Sequence, residues 1–287
     1  MKHTGLDALI QLAFAEDIGP GDITTDSMVA GDIRGRGHVV AKQELVIAGL
    51  GVAETVFRTL EPEISFTSFF TDGDRVKTGQ TVLAVEGKLA TLLTGERTAL
   101  NFLQRLSGIA TQTRSYVETV ADFPVRLVDT RKTTPGWRAL EKYAVRMGGG
   151  HNHRMGLYDG VLIKDNHIAV AGGITTAVEK ARKAVSHLVK IEVETTTLAE
   201  VDEALSTGVD IIMLDNMNLD QIREAVIRIN KKALVEVSGG VTREKLKDLA
   251  ATGVDLISIG ALTHSALAMD LSMRIAASCV SPSGAGP

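Results

Sequence analysis

Cysteine is nearly absent from the chain: Cys279 is its single occurrence in 287 residues. That excludes an internal disulfide framework and a cysteine-based zinc site, and it suits a reducing cytoplasm. There is no excess of positive charge either, the formal net charge being -4. A general nucleic-acid binder needs an overall basic face to displace phosphate counterions, so that class is excluded and any cation cluster must be local. Long uncharged apolar runs are missing too, since a membrane span needs about 18 such residues and no stretch supplies them. The apolar start LDALIQLAFAED is interrupted by Asp7 and Gln11, too early for a signal-peptide core. Its Leu6, Leu9, Ile10, Ala13 and Phe14 follow a helical period, so an amphipathic packing helix is expected there.

What is present is a repeat in the second half. TGVDIIMLDN (207 to 216) and TGVDLISIGA (252 to 261) are near copies, and YDGVLIKDN (158 to 166) is a looser third. Each is a short apolar run entered through Gly and left through a polar residue, the pattern of a strand buried on both faces of a parallel sheet. VRLVDT, LVKIEVET and LVEVSGG extend the series, with helix-period segments such as NLDQIREAVIRIN and TREKLKDLAA between, opening on Asn218 and Thr242 as N-caps. The strand exits fall at Asp129, Lys164, Glu194, Asp215, Ser238 and Gly260, the last three intervals being 21, 23 and 22 residues. Strand-helix units at that spacing predict a β/α barrel, and six units predict an open, incomplete one with all six exits at one rim.

The first half reads differently. GHVVAKQELVIAGL and DGDRVKTGQTVLAVEGKLATLL look like β-hairpin material with glycine turns. The second of these resembles the hairpin of biotinyl and lipoyl carrier domains in architecture only, because the acceptor-lysine context is missing around Lys88. From Ala99 through Leu103, Leu106 and Ala110 to Val117 and Val120 runs a helical apolar stripe that links the two parts, with Gly108 inside it.

The rim carries the chemistry. DTRKTTPG (129 to 136) and GGGHNHRMG (148 to 156) place Arg131, Lys132, His151, His153 and Arg154 beside Lys164. A charged turn is the bland reading of each segment alone; converging on one mouth, they predict a polyanion site with two guanidinium forks and two ammonium groups. His-x-His also suggests a metal, although no further ligand motif accompanies it. Ser238-Gly239-Gly240 and Gly260-Ala261 follow consecutive late strands, where backbone N–H groups and helix N-termini suit a phosphate. Glu194 and Asp215 lie between the cations and the glycines, suited to ribose hydroxyls or a hard metal ion, or simply to pairing with the cations. The residues thus predict a phosphorylated sugar beside a small carboxylated molecule, and they leave the reaction open.

The motifs EDIGPGDITT (16 to 25), GERTALNFLQRLSGIAT (95 to 111), DTRKTTPGWRALEKYAV, GGGHNHRMGLYDGVLIKDNH, IEVET, IIMLDN, EVSGG and SIGALTHS together resemble the quinolinate phosphoribosyltransferase family, in order over about residues 16 to 270. Trp137 and Val237 depart from the family's usual residues without removing a chemical group. The resemblance implies an α/β fold: an N-terminal α/β sandwich domain over residues 1–110, joined by the tail 271–287, and an open barrel over 111–270. It also implies transfer of phosphoribosyl from phosphoribosyl pyrophosphate to quinolinate with decarboxylation, in the cytoplasm, needing Mg2+ but no organic cofactor, nucleic acid or membrane. On that resemblance Arg131, His153, Arg154 and Lys164 surround the quinolinate carboxylates, joined by Arg97 from the second subunit of a homodimer with shared sites. Lys132, Ser238, Gly239, Gly240, Gly260 and His264 meet the sugar phosphate and pyrophosphate, Thr130 is a further substrate-binding residue, and Glu194 and Asp215 face the ribose and the metal. The catalytic roles fall to Lys132, Lys164, Glu194 and Asp215. The alternatives are a phosphoribosyltransferase-like protein of molybdate operons, a Schiff-base lyase built on Lys164, and a noncatalytic anion-binding barrel.

Overall fold

The computed structural model describes residues 5–29 and 32–277. These divide into two compact units, one holding the described residues up to Thr111 and from Ala266 onward, the other Gln112–Ser265. In the first unit α1 (Leu6–Asp17) buries Leu6, Ile10 and Phe14, the helical stripe expected of the apolar start, and α2 (Ile23–Met28) is capped by the Asp22 side chain, which accepts the Thr25 N–H. β1 (Arg34–Ala41) pairs antiparallel with β5 (Thr81–Lys88) on one side and with the chain's last described strand, Leu271–Ala277, on the other. β3 (Ser65–Ser68) completes this four-stranded sheet next to β5. The short β2 (Leu45–Val46) and β4 (Arg75–Val76) form a separate ladder, and α3 (Leu50–Leu60) lies between them in sequence, burying Leu50, Val52, Ala53, Val56 and Phe57.

The two expected hairpins are therefore corrected. β1 and β2, and likewise β4 and β5, belong to different sheets, so neither segment folds back on itself. Alternation fixed which face of each strand is buried but carried no information about its partner. The linking helix also starts earlier than its stripe suggested: α4 runs from Leu89 to Thr119, taking in LATLL. Within it Gly108 is fixed by a close approach, since a Cβ there would collide with the carbonyl oxygen of Leu267 and lie 2.9 Å from its carbon.

The second unit is a six-stranded parallel sheet with helices between the strands. Its strands are β6 (Arg126–Val128), β7 (Val161–Ile163), β8 (Ile191–Thr195), β9 (Ile211–Asp215), β10 (Leu234–Ser238) and β11 (Leu256–Ser258). The spatial order is β6-β11-β10-β9-β8-β7, so the last strand returns to pair with the first, and the first and second strands are the two unpaired ends. This is an open β/α barrel, interrupted between β6 and β7. At that break His151 makes a parallel bridge to Val128, with its N–H on the Leu127 carbonyl and its own carbonyl taking the Asp129 N–H.

The intervening helices follow from local signals. α5 (Arg138–Met147) comes after β6, α6 (Asp165–Ala171) and α7 (Ile174–Ala184) after β7, and α8 (Leu198–Ser206) after β8. α9 (Leu219–Ile229) opens with a reciprocal capping box between Asn218 and Gln221, as the sequence indicates. Thr242 is a different case. Its side chain makes no cap, a single 3-10 turn over Arg243–Lys245 intervenes, and α10 (Leu246–Ala250) starts only afterwards.

Candidate functional site

Side chains alternate along a strand, so residues two apart share a face. Glu194 on β8, Met213 and Asp215 on β9, and Glu236 and Ser238 on β10 line one cavity of about 770 Å3 at the strand exits, while Glu192, two residues before Glu194, lines a second cavity of about 370 Å3. Thr130, Arg131, Lys132, His153, Arg154, Lys164, Glu194, Asp215, Ser238, Gly239, Gly240, Gly260 and His264 all border the first. Arg97 does not; it is an exposed residue of α4 in the other unit.

The loop after β6 is built from both ends. The Thr130 hydroxyl accepts the Lys132 N–H at 3.0 Å, and the Thr263 hydroxyl donates to the Lys132 carbonyl at 2.7 Å, tying this exit to that of β11. Its acid, Asp129, turns inward. Asp129 and Lys142 of α5 are fully buried and paired. Asp129 also takes the His153 N–H at 2.9 Å and the Asn152 amide at 2.6 Å, while Lys142 donates to the His153 carbonyl at 3.0 Å. Burial pushes Asp129 up and Lys142 down, each against the pull of the other's charge. The pair thus holds the segment that delivers His153 and Arg154 to the mouth.

His153 has both ring nitrogens occupied within the protein. Nδ1 accepts the Arg154 N–H at 2.8 Å, so the ring proton sits on Nε2, 3.0 Å from Glu192 Oε2 and 3.6 Å from Glu236 Oε1. Burial lowers its pKa, but the hydrogen bond and the charges of the two glutamates outweigh that and raise it. Glu236 is pushed up to about 7, first by burial and then by the charge of Glu192. Sequence reasoning missed both glutamates, although an acid in the middle of an otherwise apolar strand, as in IEVET and LVEVS, was the available signal. The pair with His153 is the cluster of three potential metal donors among the described residues; His151, the other half of His-x-His, stands apart and exposed.

At the rim, Lys164 pairs with Glu194. Arg154 donates to the Gly160 carbonyl at 3.0 Å; burial first and then the nearby Arg131 guanidinium lower its pKa, a crowding of like charge that an anion would relieve. Asn216, also unpredicted, adopts a left-handed backbone (φ 55°) and donates to the Asp215 carboxylate at 2.7 Å. Gly239 faces it at φ 93°, where a Cβ would collide with the Asn216 side chain and come within 2.9 Å of its backbone nitrogen. Of the two expected helix N-termini at the glycine exits, one is a short helix and the other is not found. Gly260 leads into α11 (Ala261–His264), a single turn, and Ser238–Gly240 leads through Val241 to an extended Thr242, so an anion there meets mainly turn N–H groups and side chains, with little helix dipole.

An open β/α barrel with guanidinium and ammonium groups on one side of its mouth, and carboxylates and a glycine turn on the other, defines an enzyme that brings two anions together. Residues 22–107 match the N-terminal domain and residues 109–274 the C-terminal domain of quinolinate phosphoribosyl transferase, and the chain belongs to this family. It is 46% identical over 275 residues to a probable nicotinate-nucleotide pyrophosphorylase (carboxylating) of Bacillus subtilis, covering 96% of this chain and 95% of that one. It is 41% identical to quinolinate phosphoribosyltransferase (decarboxylating) 1b of Nicotiana tabacum, covering 94% and 82%. Among solved structures, NadC of Streptococcus pyogenes superposes with a TM-score of 0.93 at 41% identity, covering 97% of this chain and 99% of that one.

Proposed function

We propose that the chain transfers the phosphoribosyl group of phosphoribosyl pyrophosphate to the ring nitrogen of quinolinate, with loss of CO2, giving nicotinate mononucleotide and pyrophosphate. The observation that carries this reading is the crowding of Arg131 and Arg154 beside Lys132 and Lys164 in one cavity of a chain whose net charge is -4. Departure of pyrophosphate leaves oxocarbenium character on the ribose carbon. Lys132 stabilises the leaving group, and Glu194 and Asp215 stabilise the developing cation. The pyridine nitrogen becomes cationic on attack, so the neighbouring carboxylate can leave as CO2 with an ylide as the immediate product. The cations hold two mutually repelling anions in contact, and Lys164 answers to a carboxylate on either side, Glu194 or substrate.

Glu194 and Asp215 are hard oxygen donors but belong to no three-donor cluster among the described residues. That set fits Mg2+ held mainly by pyrophosphate oxygens, which neutralises the leaving group when bound. Arg97 serves the site of a second subunit in a homodimer, and the enzyme works in the cytoplasm, a reducing compartment that suits a chain with a single cysteine.

The test is an assay with both substrates and Mg2+, reading pyrophosphate and the mass of the nucleotide product. Arg154→Lys keeps the charge and loses the planar fork, so quinolinate should bind more weakly by about 1.5–3 kcal/mol while phosphoribosyl pyrophosphate is little affected. Equal weakening of both substrates would reject the assignment of Arg154.

A further inference from the structure

The decarboxylated ring carbon must receive a proton, and of the proton-bearing groups placed so far Lys164 is paired with Glu194, the His153 Nε2–H faces Glu192, and Lys132 serves the leaving group. The cavity floor, one step below the strand exits, presents Leu162, Met213, Glu236 and Ser258. Two of these are apolar and one is an alcohol, too weak an acid at neutral pH. Glu236 is 1% exposed, and its Oε1 has no hydrogen-bond partner among the described residues. A buried carboxylate oxygen in that state is costly unless the group carries a proton. Below it lies a second cavity of about 370 Å3 on the opposite side of the barrel interior, and Glu236, His153 and Arg154 border both.

We propose that Glu236 is the acid that protonates the ring carbon vacated by CO2, and that it is reloaded from water in the lower cavity. This rests on the quinolinate reading given above. The bond from ring carbon to carboxylate breaks, its electron pair stays on the carbon, and CO2 forms. The carbanion would re-add the CO2 still held in the cavity unless it is protonated first; it takes the Glu236 proton, forming the ring C–H, freeing CO2 and leaving Glu236 as a carboxylate. Glu192, whose Oε1 is equally without a partner, then faces a second buried negative charge, which favours return of a proton to Glu236. Burial and Glu192 push the Glu236 carboxyl up to about 7, with His153 and the Ser258 hydroxyl pulling the other way. Those are the charged and polar groups that face it from β8, the segment after α5, and β11; Met213 of β9 does not titrate, and Arg126 and Lys190 border the lower cavity.

The experiment follows single turnovers of the full chain with phosphoribosyl pyrophosphate, Mg2+ and quinolinate labelled in the carboxylate next to the ring nitrogen, counting CO2 and pyrophosphate together. In Glu236→Gln the ratio of CO2 to pyrophosphate should fall about 100-fold, with the dicarboxylated nucleotide accumulating. In the unaltered enzyme CO2 formation per pyrophosphate should slow as pH rises from about 6 to about 8.5, because the proton-bearing form is lost through a pKa near 7. A lysine ammonium keeps its proton to about pH 10 and would leave that profile flat. An unchanged ratio in the variant, or a flat profile in the parent, overturns the proposal, and the profile decides alone if the variant does not fold. Absence of pyrophosphate release by the parent with both substrates would instead reject the quinolinate reading, and this proposal with it.

Discussion

Lys142→Met is expected to cost about 3–5 kcal/mol of folding stability, because it strands the Asp129 carboxylate in a fully buried position. Against a total of roughly 5–15 kcal/mol for a typical domain, that is a large share. The midpoint of urea unfolding should drop accordingly, and a loss below about 1 kcal/mol would show that the pair is not the anchor its geometry suggests. Adding Asp129→Leu should restore part of the stability by removing the stranded charge. It should not restore activity: the His153 N–H and the Asn152 amide would then lack their acceptor, and the segment carrying Arg154 would lose its hold.

Arg97→Ala and Lys132→Ala should each abolish nearly all turnover, and mixing them should bring it back. Arg97 is exposed on α4 and does not border the cavity that Lys132 borders. If it completes the site of a second subunit, random reassembly of equal amounts gives about half mixed dimers, each with one doubly damaged site and one intact site. About a quarter of the parent's activity should then return. A flat result, with subunit exchange verified by differently tagged chains, would place Arg97 on its own chain's site or on none.

The rim was legible in the sequence because its strands are short apolar runs ending in polar residues at near-constant spacing, and a parallel sheet puts every such end on one side. The antiparallel sheet was not. β1 pairs with β5 and with residues 271–277, and nothing in the local pattern of Arg34–Ala41 points so far along the chain. Lys142 was hidden for a related reason. On an amphipathic helix such as RALEKYAVRM a lysine reads as solvated, and only the inward turn of Asp129, 13 residues earlier, makes its burial sensible. Glu192 and Glu236 were overlooked because a strand flanked by others on both sides reads as uniformly apolar, which holds for packing but not where a sheet curves around a lumen. The two glycine turns do border the cavity as their spacing indicates, yet the helices that follow them are short, since helix length depends on packing that a two-glycine motif does not encode.

The break between β6 and β7 has a cost that catalysis does not reveal. A barrel left open presents two unpaired strand edges, and such edges invite pairing with other chains. Here each edge strand is only three residues long, and that of β6 is further occupied by His151. The residues that keep His151 in place are its neighbours Asn152 and His153, both fastened to Asp129. Loosening that fastening would bare the β6 edge as well as misplace Arg154, so the buried pair protects the protein from self-association as much as it orders the mouth, and variants at Asp129 should aggregate on warming before their remaining sheet is lost.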